Sequence, residues 1–494
     1  MIKNKILIIT TIFIACTFNA CNEDFLETKP SNSVDAGSVF ATTKSADAAV
    51  NGIYRALTRR YRDSQGHSGY PAHMLIIDAM ADDMVFTTTS NNWHFGEQQW
   101  IAHRSETGTL TAFGYDLFYR IISNANNIIA GIDGAAGPQA DKERIKGEAL
   151  GLRALAYFNL VQMYGKRYDA TKKPNSQLGV SLLLAPTFEG LPRATVEEIY
   201  TQINKDLADA SAVMKTTRLN KSHININVIK GIHARVALAQ QNWADAAKFA
   251  AEARAGQTLM SNAQYQDGFA DITNPEWMWG FDHLEDQSEF FGGYHSYISC
   301  NYNSSVIRTV PRAINGILYD SIPATDVRSK MWVKAPTATN SVVPPGGVRR
   351  PYMGQKFRLP GVPSTSTMGD VPYMRAGEMF LIEAEAQARA GNNTAAQDAL
   401  FTLVVNRDPS YKKSTKTGVA LINEIMFHRR VELWGEGHRW FDLKRLDLPV
   451  DRKGAGHIIA VALFLEKPAG HVEWEFLLPR RELETNKQAV QNPL

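Results

Sequence analysis

The sequence predicts a mainly α-helical protein in which helical hairpins form a scaffold around one long stretch without extended helices. Two pairs of alanine-rich helices, at 228–253 and 378–406, are each joined by a short polar turn. Between them, residues 261–372 contain many Gly, Pro, Ser, Asn and Thr residues with scattered aromatic side chains. Apolar residues make up 44% of the 494 residues, which is ordinary for a globular protein with a substantial core.

The first 20 residues have the pattern of an export signal. Lys3 and Lys5 precede an apolar run at 6–18, which is shorter than the about 20 residues that a membrane span needs. The run is followed by Ala20 and Cys21, and a small residue before a cysteine is typical of a bacterial lipoprotein cleavage point. Cys16 also follows an alanine but lies inside the apolar run, so Cys21 is the predicted lipidated residue. A secreted protein without lipid is the alternative.

The charge and the cysteine content argue against a nucleic-acid-binding protein and against a protein stabilised by disulfides. The net charge is +3, and without Lys3 and Lys5 it falls to +1, so a basic surface for nucleic acid is not expected. Apart from Cys16 and Cys21 the sequence has only Cys300, so no disulfide framework is predicted. Stability is therefore expected to come from the core.

Helical periodicity runs from residue 45 to 260. The first helix is predicted to have Ser45 as its N-cap. Residues 148–164 are apolar on nearly all sides, which predicts a central helix. Thr195 and Glu198 have the spacing of a capping box, in which each side chain accepts a hydrogen bond from the other residue's backbone N–H. A further helix should therefore begin at that point.

The helix pairs at 228–253 and 378–406 resemble tetratricopeptide hairpins. Both pairs carry alanines that let helices approach closely, although no strict 34-residue period runs through the chain. Stacked hairpins of this kind would form a curved, all-α scaffold.

Residues 421–446 combine two apolar clusters with closely spaced charges. A helix is predicted to begin there and to end near Gly435, since glycine commonly follows a helix end. Arg429, Arg430 and Glu432 lie among large apolar residues and are expected to be paired, because an unpaired buried charge is very costly. We interpret the stretch as a packing centre and not as a catalytic site.

The same stretch, RRVELWGEGHRWFDLKR, resembles the C-terminal signature of the SusD/RagB family, the surface nutrient-binding lipoproteins of Bacteroidetes-type bacteria. Four further blocks resemble family blocks in family order: the Cys21 region with Asp24-Phe25-Leu26, GEALGLRALAYFNLVQMYG, YMRAGEMFLIEAEAQARAG and the tail PRRELETN…QNP. The resemblance implies a tetratricopeptide-like scaffold carrying an irregular, loop-rich ligand-binding lobe. It also implies attachment to the outer membrane through lipid on Cys21 and a SusC-like TonB-dependent transporter as partner.

These observations together divide the chain into five predicted regions. They are a signal peptide (1–20), a lipidated tether (21–44), an N-terminal helical region (45–260), a loop-rich lobe (261–372) and a C-terminal helical region (373–494).

Enzyme signatures are absent from the sequence, which has no HExxH, G-x-S-x-G or GxxxxGK pattern. The adjacent acids Asp82-Asp83 and Glu285-Asp286 are expected to be solvated or to be structural groups that hold no metal. Histidines such as His94 lack metal-ligand spacing and are expected at the surface, so no cofactor or metal is predicted. A surface glycoside hydrolase or lyase is the alternative, because sequence does not reveal a pair of carboxylates about 5–10 Å apart. A scaffold that only docks partner proteins is a third hypothesis.

Aromatic side chains in polar, loop-like sequence are the candidates for ligand contact. Sugars present flat patches of C–H bonds beside hydroxyls, so proteins hold them with aromatic faces and nearby polar groups. Trp277 and Trp279 alternate like a half-buried strand and are expected in the core. For each other aromatic residue, packing is the alternative to ligand contact. The predicted ligand-binding residues are Trp93, Trp100, Tyr294, Tyr297 and Trp332.

The predicted function is therefore capture without catalysis. The protein would bind an oligosaccharide or similar nutrient at the cell surface and deliver it to the transporter, with no bond made or broken.

Overall fold

The computed structural model describes residues 36–285, 292–361 and 369–494 and confirms the mainly α fold. Among the residues described, every helix is too short or too polar to cross a membrane. The longer helices are α1 (Thr43–Ala56), α2 (Gly69–Ala79), α3 (Thr109–Gly131), α4 (Gln139–Tyr164), α5 (Val196–Val213), α6 (Ile226–Ala239), α7 (Trp243–Arg254), α8 (Ala376–Arg389), α9 (Asn393–Arg407), α10 (Gly418–Glu432) and α11 (Arg439–Arg445).

Shorter helical turns connect these elements. They are Ala36–Val39, Phe95–Gln98, Ala102–Arg104, Ile132–Gly134, Asn262–Gln266, His295–Ile298, Ser305–Thr309, Gly316–Asp320, Val327–Met331, Ile459–Ala462, Val472–Trp474 and Arg480–Thr485.

Neighbouring helices pack side by side, as in stacked hairpins. Helix α4 packs against α3 and α5, α7 packs against α6, and α8 packs against α9 and α10. Helix α7 also packs directly against α8, although the loop-rich stretch lies between them in the sequence. The helical scaffold is thus continuous across that stretch.

Capping explains where two helices begin. At α5 the Thr195 hydroxyl accepts from Glu198 N (3.2 Å) and the Glu198 carboxylate accepts from Thr195 N (2.8 Å), which confirms the predicted capping box. The predicted cap of α1 is wrong, because Thr42 is the N-cap and Ser45 is the third residue of the helix. Thr42 has the extended backbone that an N-cap requires, and Ser45 completes the box from inside the helix.

Short antiparallel strands tie the loop-rich stretch to the helices. The strands are β1 (Met84–Phe86), β2 (Leu178–Ser181), β3 (Arg193–Thr195), β4 (Trp277–Phe281), β5 (Arg312–Ile314), β6 (Trp332–Val333), β7 (Met353–Gly354), β8 (Val371–Arg375), β9 (Val450–Asp451) and β10 (Glu466–Lys467). One sheet has the order β1-β5-β7-β6, and β4 pairs with β8 immediately before α8. Trp277 and Trp279 are buried in β4, as predicted. The region boundaries themselves stay predictions.

A network of buried charges joins the loop-rich stretch to the C-terminal helices. The Glu432 carboxylate lies 3.3 Å from Arg328, 3.1 Å from Arg375 and 3.0 Å from Arg407. Arg375 also contacts Glu276 (2.6 Å) and Glu436 (2.7 Å). Four cations thus face four carboxylates, and these eight side chains, which we call the charge network, are Arg328, Lys356, Arg375, Arg407, Glu276, Asp326, Glu432 and Glu436.

Backbone geometry places Glu436 in the charge network. Gly435 and Gly437 flank it with φ values of 82° and 80°, a conformation that glycine adopts readily. The resulting turn ends α10 close to the predicted position. Lys356 Nζ donates to the carbonyls of Glu432 and Trp434 as well as to Glu436, so this turn is fixed from three sides.

Arg429 and Arg430 of the 421–446 stretch are also paired, as predicted. Arg429 contacts Asp442 at 2.7 Å. Arg430 contacts Asp83 at 2.5 Å and Arg439 contacts Asp82 at 2.7 Å, so these adjacent acids are buried structural groups. Asp286, of the second predicted acidic pair, lies outside the described residues.

Trp440 of α11 should be a major contributor to stability, because its side chain is fully buried against Trp474 with 5.5 Å between ring centroids. Trp440→Ala is expected to lower the free energy of unfolding by about 3–5 kcal/mol. Urea unfolding followed by circular dichroism measures this. Val419→Ala, at an exposed position of α10, is the control and should change stability by less than about 0.5 kcal/mol. Equal stability of Trp440→Ala and wild type would contradict the assignment.

The charge network should also make stability depend on acid pH. Burial opposes ionisation of Glu436, but Arg375 and Lys356 outweigh it and lower its pKa from 4.5 to about 2. The folded pKa is below the unfolded value, so this stabilisation is complete above about pH 4.5 and is lost as the pH falls toward 2. Glu436→Gln should be less stable than wild type at about pH 6 and lose less stability on acidification to about pH 3. Parallel pH dependence of the two unfolding free energies would contradict this role.

Candidate functional site

Of the five predicted ligand-binding residues, Trp93 is half-buried and the other four are buried with exposed fractions of 2–4%. Trp100 donates from Nε1 to the Met80 carbonyl at 2.7 Å. The Tyr294 hydroxyl donates to the Gly435 carbonyl at 2.6 Å. Trp332 packs edge-on against Trp434, with 5.6 Å between ring centroids. These contacts give Trp100, Tyr294 and Trp332 packing roles in this structure, and ligand contact by them stays a prediction.

The structure brings Trp93 and Tyr297 together. Their ring centroids lie 5.8 Å apart at an interplanar angle of 60°, and Tyr297 also packs edge-on against His94 at 4.9 Å. Trp93 comes from the segment before the helical turn Phe95–Gln98, and Tyr297 comes from the turn His295–Ile298. We call this arrangement the Trp93–Tyr297 site. Within the described part of the chain, this is the one place where two of the predicted ligand-binding residues contact each other. Of the two, Trp93 is partly exposed.

Beneath the aromatic pair lies a polar cluster that the sequence did not reveal. The Glu97 carboxylate lies 3.7 Å from His94 Nδ1 and 3.9 Å from His67 Nε2. The Nε2 atoms of both histidines are buried and make no hydrogen bond within the described residues. The expectation of a surface histidine at position 94 is wrong, because packing against Tyr297 and Glu97 covers the ring.

The ionisation states of this cluster follow from its burial. Burial lowers the pKa of His67 to about 4, so this imidazole is neutral at pH 7. Burial also opposes ionisation of Glu97, but the proximity of His94 and His67 outweighs burial and lowers its pKa. Glu97 is therefore a carboxylate that can accept hydrogen bonds. Within the described residues no group of three or more potential ligands could hold a metal ion.

Arg312 of β5 holds the backbone of Trp93 in place. Its guanidinium donates to the carbonyls of Val310 (3.1 Å) and Trp93 (3.3 Å) and lies 3.8 Å from the centroid of the Phe86 ring. Burial lowers its pKa to about 9, which leaves it mainly charged at neutral pH. Strand β5 thus positions the segment that carries the exposed tryptophan.

A depression of about 50 Å³ lies beside the turn that carries Tyr297, and residues of the Trp93 segment do not line it. Its walls include Ser68 and Tyr294, together with the cationic side chains Arg55 and Arg59. Phe281 stacks on His283 at its edge, with 5.1 Å between centroids and an angle of 27°. An aromatic pair with polar groups next to it is the combination that suits a polyhydroxylated ligand.

The comparisons with known proteins agree with this architecture. A family model described as "Starch-binding associating with outer membrane" matches residues 24–238, and the SusD family model matches residues 338–494. A SusD-like protein of Bacteroides ovatus is 24% identical, over 89% of this chain and 82% of that protein. SusD-like protein P38 of Formosa agariphila is 22% identical, over 88% of this chain and 90% of that protein.

Solved structures show the same fold. A SusD-like carbohydrate-binding protein from Bacteroides vulgatus superposes with a TM-score of 0.78 at 25% identity, covering 91% of this chain and 97% of that chain. A laminarin-binding SusD-like protein superposes with a TM-score of 0.68 at 20% identity, covering 92% and 99%. The two family models together match most of the sequence, residues 24–238 and 338–494, and the protein belongs to the SusD/RagB family.

Proposed function

We propose that this protein binds an oligosaccharide at the Trp93–Tyr297 site as part of glycan uptake at the outer membrane. The observation that carries the proposal is the half-buried indole of Trp93, which packs against Tyr297 and whose backbone carbonyl accepts a hydrogen bond from Arg312. A rigid aromatic face gives a sugar ring apolar contact with little loss of side-chain entropy. Glu97 and the two histidines supply polar groups behind it.

The names of the relatives support a glycan as the ligand. The matched N-terminal model is described by starch binding, and one structural relative is named for laminarin. Starch and laminarin are both glucose polymers without charged groups. We therefore take neutral glucans as the first probes of this protein.

The proposal is binding without catalysis. A glycosidase needs one carboxylic acid kept protonated by a raised pKa and a second carboxylate across the scissile bond. Glu97 has a lowered pKa and is unsuited to the acid role. Asp82 and Asp83 are engaged by Arg439 and Arg430. These features favour capture over hydrolysis or lysis.

Delivery and anchoring complete the proposal. Family membership implies transfer of the glycan to a SusC-like TonB-dependent transporter, with the protein on the outer face of the membrane. The lipidated Cys21 would hold it there through the tether at 21–44. Residues 1–35 lie outside the described part of the chain, so this step rests on the sequence alone.

Trp93→Ala tests the site directly. Removing the indole should weaken binding of laminarin or soluble starch by about 1–3 kcal/mol, because an aromatic anchor is lost, and should leave the melting temperature nearly unchanged. Isothermal titration calorimetry and thermal unfolding provide the two readouts. Trp243→Ala, at a half-buried tryptophan of α7, is the matched control and should bind as wild type does. Normal glucan binding by Trp93→Ala would place the site elsewhere.

Cys21→Ser tests the anchor. The variant should be released from membranes and lose palmitate labelling, because a single apolar signal segment without acyl chains does not give stable attachment. Cys16→Ser is the matched control and should remain membrane-bound. Unchanged labelling of Cys21→Ser would refute the assignment of the lipidated residue.

A further inference from the structure

A cleft of about 390 Å³ lies at the β2–β3 end of the protein, outside the Trp93–Tyr297 site. Three segments form it: one face of α3, the loop 182–192 between β2 and β3, and the C-terminal segment 479–486. We call it the Phe188 cleft. Its chemistry resembles that of the first site, since aromatic rings alternate with carboxylate, guanidinium, hydroxyl and amide groups.

Phe188 projects fully into solvent. Its side chain is as exposed as in an extended chain, and residues 184–189 around it are all exposed. The end of this loop is nevertheless fixed, because Asn486 donates to the Leu191 carbonyl at 2.8 Å and Gln488 donates to the Gly190 carbonyl at 2.6 Å. A side chain on Gly190 would collide with Asn486 at 2.5 Å, so glycine permits this close approach. Leu184 of the same loop is also exposed, so the loop presents two apolar side chains to solvent next to its anchored end.

Two tyrosines form the wall of the cleft opposite this loop. The ring centroids of Tyr115 and Tyr119 lie 4.5 Å apart, and the Tyr119 hydroxyl donates to the Ser181 carbonyl at 2.7 Å. Tyr115 is buried and Tyr119 is half-buried, so the pair presents a fixed aromatic edge. The wall of the cleft on α3 is therefore formed by packed tyrosine rings, and the loop opposite it carries the exposed ring of Phe188.

The polar groups of the cleft favour an uncharged ligand. Asp116 accepts from the Tyr61 hydroxyl at 2.6 Å and lies 3.4 Å from Arg62, and Glu482 accepts from Asn486 at 2.8 Å. Arg481 and Glu189 make no ion pair within the described residues. Of the lining residues, Asp116, Glu189 and Glu482 are acidic and Arg481 is basic, so the cleft repels a polyanion and offers hydrogen bonds to hydroxyl groups.

A single chain segment separates this cleft from the first site. Tyr61 donates to Asp116 in the cleft, whereas a Cβ at Gly66 would lie 3.3 Å from the Trp93 ring. Residues 61–66 therefore lie next to both sites. A glycan chain bound at both sites would cross this segment.

We propose that the Phe188 cleft is a second binding site for a neutral oligosaccharide and engages the portion of the chain that extends beyond the Trp93–Tyr297 site. The inference rests on the proposed function. It adds a property that the first site alone does not have: affinity should increase with chain length, and this increase should depend on Phe188.

The experiment compares long and short probes on the intact protein by isothermal titration calorimetry. The probes are laminarin, soluble starch, the trisaccharide of the glucan that binds, and alginate as a polyanion. Phe188→Ala should weaken binding of the polymer about tenfold and leave the trisaccharide affinity unchanged. Trp93→Ala should weaken both. Val419→Ala, another exposed apolar position but on α10, is the matched control and should change neither.

Each outcome decides the proposal. A loss confined to the polymer in Phe188→Ala supports a second site. If Phe188→Ala binds the polymer as wild type does and Trp93→Ala binds it more weakly, the second site is overturned. The proposed function is then unaffected. Binding of alginate that depends on Phe188 overturns the assignment to a neutral glycan. Failure of wild type to bind either glucan overturns the glucan-binding function and this inference with it.

Discussion

The carboxylate of Glu432, buried in contact with three arginines, is the interaction on which the rest of the structure depends. Arg328 comes from the loop-rich stretch, Arg375 from the end of β8 and Arg407 from the end of α9, and all three lie within 3.3 Å of it. Burying these charges is favourable only when all of them are compensated, and removal of one partner leaves an unpaired charge inside the protein. The network therefore requires the inserted stretch and the C-terminal helices to adopt their native positions together.

The same network positions the candidate site. The turn after Glu432 is fixed by Lys356, and its Gly435 carbonyl accepts the hydroxyl of Tyr294. Tyr294 is the N-cap of the helical turn that carries Tyr297, and Tyr297 backs the exposed ring of Trp93. On the other side, Arg312 holds the Trp93 carbonyl from β5. The charge network thus helps to position the Trp93–Tyr297 site at the protein surface.

Local patterns made much of the helical scaffold predictable. The capping box at Thr195 and the strand around Trp277 depend on neighbours in the sequence, and both are confirmed, although β4 is buried on both faces where its alternation predicted a half-buried strand. An ion pair at Arg430 could be expected, because a charge among large apolar residues is stable only next to an opposite charge. Its partner, Asp83, could not be named, since contacts between distant segments leave no periodic signal.

The candidate site was less predictable for the same reason. Trp100 and Trp332 occur in polar, loop-like sequence, but Met80 and Trp434, from distant parts of the chain, provide the contacts that bury them. The association of His67, His94 and Glu97 likewise arises from chain folding and follows no ligand spacing. Of the aromatic residues predicted from composition, the structure leaves Trp93 with the exposure that ligand contact requires.

Hydrogen–deuterium exchange of the intact protein, with and without a saturating neutral glucan, is the measurement that tests this account most directly. The account predicts slower exchange in the backbone segments that carry Trp93 and Tyr297. It also predicts unchanged exchange in α10, which ends at Glu432 of the charge network, and in α11, which carries no residue of the site. Slower exchange confined to α10 and α11, or no change around Trp93 and Tyr297 at saturation, would contradict a glycan-binding surface positioned by that network.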